Sequence, residues 1–212
     1  MVEIVRGKDV TIRFDAALCV HSRNCVLSHP EVFVPNVKGD WIYPDAAPVE
    51  TVVLLGLTCP SGAISVSRND GSQTTEQPPV VNTVRLRENG PLAIEADLQL
   101  RGEPLGRVRA TLCRCGQSQA KPFCDGSHAA AGFAATGEPA TKDAPALEAR
   151  DGPVDLLPQP DGPLKITGNL EVISGTGRTV NKLRQAFFCR CGASQNKPYC
   201  DGSHKSLGFV AE

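Results

Sequence analysis

The chain has 212 residues, with 22 lysines and arginines against 23 aspartates and glutamates, 5% aromatic residues, nine cysteines and four histidines. A net charge of -1 offers no broad basic field, so composition argues against nucleic acid or an anionic membrane as a partner. An odd number of cysteines cannot all pair, and neither a signal peptide nor an apolar run of roughly 20 residues is present. We therefore expect a soluble, cytoplasmic protein with reduced thiols.

The first segment, residues 1–66, is predicted to form a small α+β unit. The alternating sequence VTIRF from Val10 is typical of a strand. Residues 45–57, DAAPVETVVLLGL, predict a short helix, because an acidic start and an early proline are signals of a helix N-terminus. The sequence HPEVF from His29 predicts one turn of helix.

Three cysteines of this segment match part of the bacterial ferredoxin run C-x2-C-x2-C-x3-C-P. Counting from Cys19, Ser22 stands at the second cysteine position, Cys25 at the third and His29 at the fourth, while Cys59 precedes a proline further along. The fourth position of the run serves the other cluster of two-cluster ferredoxins, so we predict that His29 is a surface residue. Three ordinary buried cysteines are the alternative interpretation.

With CVHSRNC and CPSGAI, the segment resembles the divergent mono-cluster ferredoxin family. The resemblance implies a [4Fe–4S] or [3Fe–4S] cluster held by Cys19, Cys25 and Cys59. A [3Fe–4S] cluster needs no fourth ligand, whereas a [4Fe–4S] cluster would need Ser22, His21 or water, and His21 is out of register by one residue.

Two segments that are polar or rich in proline divide the rest of the chain. They are predicted linkers and cover residues 67–79 and 138–159. The segments that follow them, 80–137 and 160–212, are predicted to be separate domains.

These two domains are copies of one unit. CRCGQSQAKPFCDGSH, from Cys113, returns as CRCGASQNKPYCDGSH, from Cys189, with three differences. Alternating apolar residues upstream, in segments 80–86, 92–100 and 164–166, predict short strands separated by Asn-Gly and Asp-Gly turns. Each copy is therefore predicted to be mainly β.

Each copy places three cysteines and one histidine in the pattern C-x-C-x8-C-x3-H. These donors are Cys113, Cys115, Cys124 and His128, and then Cys189, Cys191, Cys200 and His204. Thiolate and imidazole suit zinc, copper(I) or iron–sulfur clusters. A catalytic Cys/His pair would leave the C-x-C cysteines without a role. The single residue between those cysteines is tighter than the usual C-x2-4-C of structural zinc, which favours iron–sulfur.

At these residues the chain resembles the CDGSH iron–sulfur family, whose pattern C-x-C-x2-[ST]-x3-P-x-C-D-G-[SAT]-H both copies match through Ser118, Pro122, Ser194 and Pro198. The resemblance implies one [2Fe–2S] cluster per repeat, bound by the three cysteines and the histidine. Family members with one motif form homodimers. Two motifs in one chain are therefore expected to pack with pseudo-twofold symmetry, which is compatible with a monomer.

Several neighbours of the donors are predicted to support the clusters. Asp125 and Asp201 are suited to cap a short helix. Four basic residues either offset the cluster charge or stay on the solvated surface: Arg114, Arg190, Lys121 and Lys197.

The sequence as a whole predicts a multidomain α+β protein that carries electrons between redox proteins and is not an enzyme. It contains no dinucleotide, phosphate-binding or acyl-transfer motif. A neutral histidine in place of one thiolate leaves a cluster less negative, so His128 and His204 are expected to raise its potential. Cluster storage or transfer and redox or pH sensing are the alternatives, and a zinc-stabilised binding module is disfavoured.

Overall fold

The computed structural model describes residues 2–72 and 76–211. The chain divides into two compact units, Met1–Gln77 and Pro78–Glu212. Both contain sheets and short helices, which confirms the α+β class. Residues 73–75 of the predicted first linker lie outside the described residues, and its first two residues belong to a strand. Within the described part of the chain, every helix is too short or too polar to cross a bilayer.

The N-terminal unit is a three-stranded antiparallel sheet with two helices. The strands are β1 (Val2–Arg6), β2 (Val10–Asp15) and β3 (Ile64–Arg68), in the order β1-β2-β3, and the helices are α1 (Asn24–Ser28) and α2 (Val49–Leu57). The strand from Val10 and the helix within 45–57 are confirmed. The predicted turn at His29 is present as a single turn after α1, in which the N–H groups of Val32 and Phe33 donate to the His29 carbonyl at 3.1 and 3.0 Å.

Close packing of α2 on the sheet sets the position of Cys59. Val10 and Ile12 point inward from β2 and share a core with Val52 and Leu55 of α2. A Cβ at Gly56 would lie 2.7 Å from a methyl carbon of Val66, so only glycine allows helix and strand to approach this closely. The helix, which ends at Leu57, therefore places Cys59 beside the sheet.

The C-terminal unit contains an eight-stranded sheet shared by both repeats. Its strands are β4 (Thr83–Leu86), β5 (Leu92–Glu95), β6 (Asp97–Leu100), β7 (Glu103–Pro104), β8 (Arg109–Leu112), β9 (Pro153–Pro158), β10 (Leu164–Ile173) and β11 (Thr179–Phe188). Their order is β7-β6-β9-β10-β4-β5-β8, and β11 pairs with β10. Two short helices follow the cysteine loops, α3 (Ser127–Ala130) and α4 (Ser203–Leu207).

The repeats exchange strands reciprocally. Strand β6 of the first repeat pairs in parallel with β9, and β10 of the second pairs in parallel with β4. Gln99 is paired with Asp155, and Glu171 is paired with Thr83, so the same repeat positions meet in both pairings. This reciprocity is a pseudo-twofold relation, and it makes the two repeats one folded unit.

Strand β9 lies inside the segment predicted as the second linker, 138–159. It occupies Pro153–Pro158 and is the counterpart of β4 in the first repeat. The prolines at both ends of this strand led to the prediction of a linker. The residues between them are alternately buried, and Val154 and Leu156 are fully buried. The second repeat therefore begins its sheet within that segment.

One hydrophobic core serves both repeats. Leu86, Ile94 and Leu112 of the first pack in the same cluster as Leu156 and Ile166 of the second. Burial of this shared apolar surface holds the two cysteine loops in a fixed relation.

Candidate metal centres

Each CDGSH loop starts where the last strand of its repeat ends and then folds back on that strand. Cys113 directly follows β8, and its N–H donates to the Pro122 carbonyl at 2.9 Å, while the Cys124 N–H donates to Thr111 at 2.8 Å. The second loop makes the same two bonds at the same lengths: Cys189 N–H to Pro198 and Cys200 N–H to Phe187. The strand end therefore brings the third cysteine of each motif next to the first.

Side chains within each loop fix its shape. In the first repeat, Ser118 Oγ donates to the Phe123 carbonyl at 2.6 Å, and Asp125 accepts from the Gln119 N–H at 2.8 Å. Lys121 Nζ donates to the Ser118 carbonyl at 2.6 Å. The second repeat repeats all three contacts, with Ser194 to Tyr199, Gln195 to Asp201 and Lys197 to Ser194. Lys121 and Lys197 thus tether their loops.

The helix caps differ from the prediction. The N-cap residues of α3 and α4 are Gly126 and Gly202, with φ of 90° and 93°, and not Asp125 and Asp201. Glycine suits these positions because the left-handed region strains other residues. The aspartates nevertheless serve the same helices, since Asp125 accepts from the Ser127 N–H at 3.0 Å and Asp201 from the Ser203 N–H at 2.9 Å.

The four donors of each repeat lie in two pairs. Cys113 Sγ is 3.7 Å from Cys115 Sγ, and Cys124 Sγ is 3.3 Å from His128 Nδ1. The same distances recur in the second repeat, 3.7 Å for Cys189 to Cys191 and 3.3 Å for Cys200 to His204. Backbone N–H groups also point at the sulfurs, such as Gly126 N–H at 3.4 Å from Cys124 Sγ.

Two pairs of soft donors suit a binuclear cluster, in which each iron takes two protein ligands. The paired thiolate and imidazole donors therefore fit an iron–sulfur cluster in each repeat.

Burial and hydrogen bonds between neighbouring thiols shift the pKa values of these cysteines. Five of the six cysteines are buried, and only Cys200 is half-exposed. Burial raises the pKa of Cys124 to about 11, and a hydrogen bond from Cys115 lowers the pKa of Cys113. Cys124 is thus protonated at neutral pH without a metal, and a bound cluster would displace its proton.

The two sites meet at a seam. Cys115 and Cys191 form an antiparallel backbone bridge, so the CRCG segments of the two repeats run side by side. A Cβ at Gly116 would lie 2.8 Å from the Cys191 carbonyl oxygen, and one at Gly192 would lie 2.7 Å from that of Cys115. Glycine is therefore required at both positions for the backbones to approach this closely.

Arg114 and Arg190 are buried in this seam, each only 1% exposed. Arg114 Nε donates to the Gly90 carbonyl at 2.7 Å, and Arg190 Nε donates to Gly162 at 2.9 Å. The sequence offered a surface role as an alternative for these two arginines, and that alternative is wrong. Their position between two ligand cysteines is the signal that could have predicted burial.

The N-terminal unit gathers its three cysteines around one cavity. Cys19, Cys25 and Cys59 line a space of about 460 Å³, together with His21 and Ser22. Burial raises the pKa values of Cys19 and Cys25, and the charge of the Cys59 thiol raises both further. Three soft donors around one cavity fit an iron–sulfur cluster.

Other polar residues of this unit divide between the cavity and the surface. Ser61, which the sequence analysis missed, is 3% exposed, and its Oγ lies 3.6 Å from Cys59 Sγ. Its place two residues after the cysteine, in CPSG, is the only signal that pointed to it. His29 Nδ1 lies 2.8 Å from Glu31 Oε1, as a surface ion pair would.

The fold and donor sets define an iron–sulfur protein. Residues 89–129 and 161–205 match the family described as iron-binding zinc finger CDGSH type, and residues 5–69 match the divergent 4Fe-4S mono-cluster family. The uncharacterized protein YjdI of Escherichia coli, from strains K12 and O157:H7, is 44% identical over 59 residues, which are 27% of this chain and 75% of YjdI. The chain belongs to the CDGSH iron–sulfur family and carries a divergent 4Fe–4S mono-cluster domain at its N-terminal end.

Proposed function

We propose that this iron–sulfur protein transfers electrons and binds two [2Fe–2S] clusters and one [3Fe–4S] or [4Fe–4S] cluster. The observation that carries the proposal is the seam at which Cys115 and Cys191, one donor from each repeated set, are bridged. Two clusters bound there would be neighbours in one folded unit, which suits exchange of electrons between them. We further propose that its partners are redox proteins, and that it neither transforms a substrate nor binds nucleic acid or membranes.

The residues have distinct parts in this function. In each repeat the three cysteines and the histidine would hold the cluster, which supplies one-electron chemistry when bound. Neutral His128 and His204 keep each site one charge less negative than four thiolates would, which favours accepting an electron. Backbone N–H groups directed at sulfur, such as that of Gly202 at 3.4 Å from Cys200 Sγ, stabilise the added negative charge.

The decisive experiment measures iron, sulfide and zinc in protein purified without oxygen, followed by a redox titration monitored by EPR. We expect about seven or eight irons per chain with matching sulfide, and reversible one-electron reduction of each centre. Four irons would reject the N-terminal cluster. Two zincs without colour, or clusters that cannot be reduced reversibly, would reject electron transfer.

Cluster transfer is a second candidate function, and the exposure of the histidines favours it. His128 and His204 are only partly buried, whereas the cysteines of the C-x-C pairs are buried. A cluster could therefore be released from the histidine side. Incubation of the loaded chain with an apo-ferredoxin tests this: intact transfer to the acceptor supports it, and retention of all iron on the chain opposes it.

A further inference from the structure

The CRCG segments place each buried arginine against the opposite repeat. Because Cys115 and Cys191 are bridged in antiparallel fashion, the backbone of Arg114 lies alongside that of Gly192, and the backbone of Arg190 lies alongside that of Gly116. Arg114 is therefore close both to its own cluster site and to the one formed by the second repeat. The reciprocal relation holds for Arg190.

Both guanidinium groups are held rigidly. Arg114 Nε, Nη1 and Nη2 donate to the carbonyls of Gly90, Thr136 and Arg87, and its guanidinium lies 5.6 Å from the centre of the Phe133 ring. Arg190 bonds Gly162 and Gln159 in the same way and lies 5.7 Å from the Phe209 ring. These hydrogen-bond partners are neutral carbonyls, so they fix the position of each charge without neutralising it. The carboxylates of Glu88 and Asp161 act electrostatically on Arg114 and Arg190, respectively.

The charge of each arginine acts across the seam. Burial lowers the pKa of Arg114 to about 10, and the Cys189 thiol of the other repeat acts against that shift. Burial also lowers the pKa of Arg190, and here the Cys113 thiol opposes it. Each arginine is thus within Coulomb range of the first ligand cysteine of the opposite repeat. Arg114 also acts within its own repeat, because burial lowers the pKa of His128 and the charge of Arg114 lowers it further.

We propose that Arg114 and Arg190 are crossed positioning residues, each of which stabilises the negative charge of the cluster in the opposite repeat. The inference rests on the proposed [2Fe–2S] clusters. In consequence, each repeat helps to set the reduction potential of the other, and neither cluster keeps its potential when the opposite CRC segment is altered.

The test needs the two clusters to be distinguished, and His128→Cys does this by giving the first repeat an all-cysteine centre with its own EPR signal. In that full-length background, Arg114→Gln removes the charge and Arg114→Lys keeps it. Arg184→Gln is the matched control, because Arg184 is exposed on β11 and forms an ion pair with the exposed Glu148 at 3.2 Å. The mirror experiment combines His204→Cys with Arg190→Gln.

We expect Arg114→Gln to lower the equilibrium constant for reducing the second-repeat cluster about tenfold, or about 59 mV for a one-electron couple. The shift of the marked first-repeat cluster should be smaller, Arg114→Lys should restore most of the potential, and Arg184→Gln should change neither centre. An equal potential in Arg114→Gln and the parent, or a larger shift in the first repeat, would overturn the proposal. Iron content separates the cases: absent clusters refute the proposed function, whereas intact clusters with unmoved potentials refute only the crossed arrangement.

A variant that loses iron also decides the question. Loss confined to the second-repeat cluster in Arg114→Gln supports the crossed arrangement, and loss confined to the first contradicts it. If the glutamine variants do not fold, the His128→Cys chain is labelled with heavy nitrogen at the arginine guanidinium groups. A nitrogen hyperfine coupling at the reduced second-repeat cluster that Arg114→Lys abolishes supports the proposal, and a coupling unchanged by Arg114→Lys, or no coupling, overturns it.

Discussion

The N-terminal unit and the CDGSH repeats hold their cysteines in different ways. In the repeats, a strand end and a set of side-chain bonds fix each loop, and the same bonds occur twice. In the N-terminal unit, a short loop leads from Cys19 to Cys25 in helix α1, and His21 and Arg23 of this loop have φ of 51° and 64°. A left-handed backbone strains residues other than glycine, so this loop is held by less favourable geometry.

The cysteine side chains of the N-terminal unit and of the repeats also differ in exposure. All three N-terminal cysteines are half-exposed around an open cavity, while five of the six cysteines in the repeats are buried. The comparison teaches that donor spacing alone does not determine how firmly a cluster is held. We expect the N-terminal cluster to be the first that oxygen or a chelator removes, because its ligands are the most accessible.

The largest expected effect separates the two kinds of centre. Cys59→Ala should remove the N-terminal cluster and with it three or four irons, because the other two cysteines alone cannot hold it. The four irons of the repeats should stay, since each unit has its own core. Iron analysis with EPR measures this.

The matched control is Cys124→Ala, which should remove about two irons from the first repeat and leave the N-terminal signal unchanged. Unchanged iron in Cys59→Ala would reject the N-terminal assignment. Loss of all iron in either variant would show that the units do not bind their clusters independently.

The next effect tests the histidine donors of the repeats, each of which lies 3.3 Å from a cysteine sulfur of its own motif. His128→Cys or His204→Cys should keep the cluster and lower its potential by on the order of 100 mV, since a thiolate adds one negative charge to the site. EPR-monitored redox titration measures the shift. A potential that stays the same in both variants would reject histidine ligation.

The spacing of the predicted donor sets is a local signal. C-x-C-x8-C-x3-H needs only a strand end and one loop to bring its donors into pairs, and the structure brings them into pairs in both repeats. Strand β2 and helix α2 were also predictable, since their patterns of apolar residues are local signals.

Features that depend on distant parts of the chain were not predictable in this way. The parallel pairing of β6 with β9 joins residues more than fifty positions apart, and β9 itself was hidden by the prolines at its ends. The burial of Arg114 and Arg190 depends on carbonyl groups of turns upstream and on the bridge between repeats. Such contacts arise from packing: the place of each arginine between two ligand cysteines indicates its burial, but no local pattern indicates the carbonyl groups that it bonds.

The smallest expected effect tests how the N-terminal unit compensates for its exposed ligands. Ser61 is buried, accepts the Ala63 N–H at 3.3 Å and lies 3.6 Å from Cys59 Sγ, so its hydroxyl can donate to that sulfur. Ser61→Ala should lower the potential of the N-terminal centre slightly, because the reduced cluster loses a hydrogen-bond donor, and should cost about 1 kcal/mol of stability.

Redox titration and thermal unfolding of the Ser61→Ala chain measure the two effects separately. Ser61→Thr, which keeps the hydroxyl, is the control and should retain the parent potential. If Ser61→Ala loses stability while its potential stays at the parent value, Ser61 only braces the turn through the Ala63 N–H.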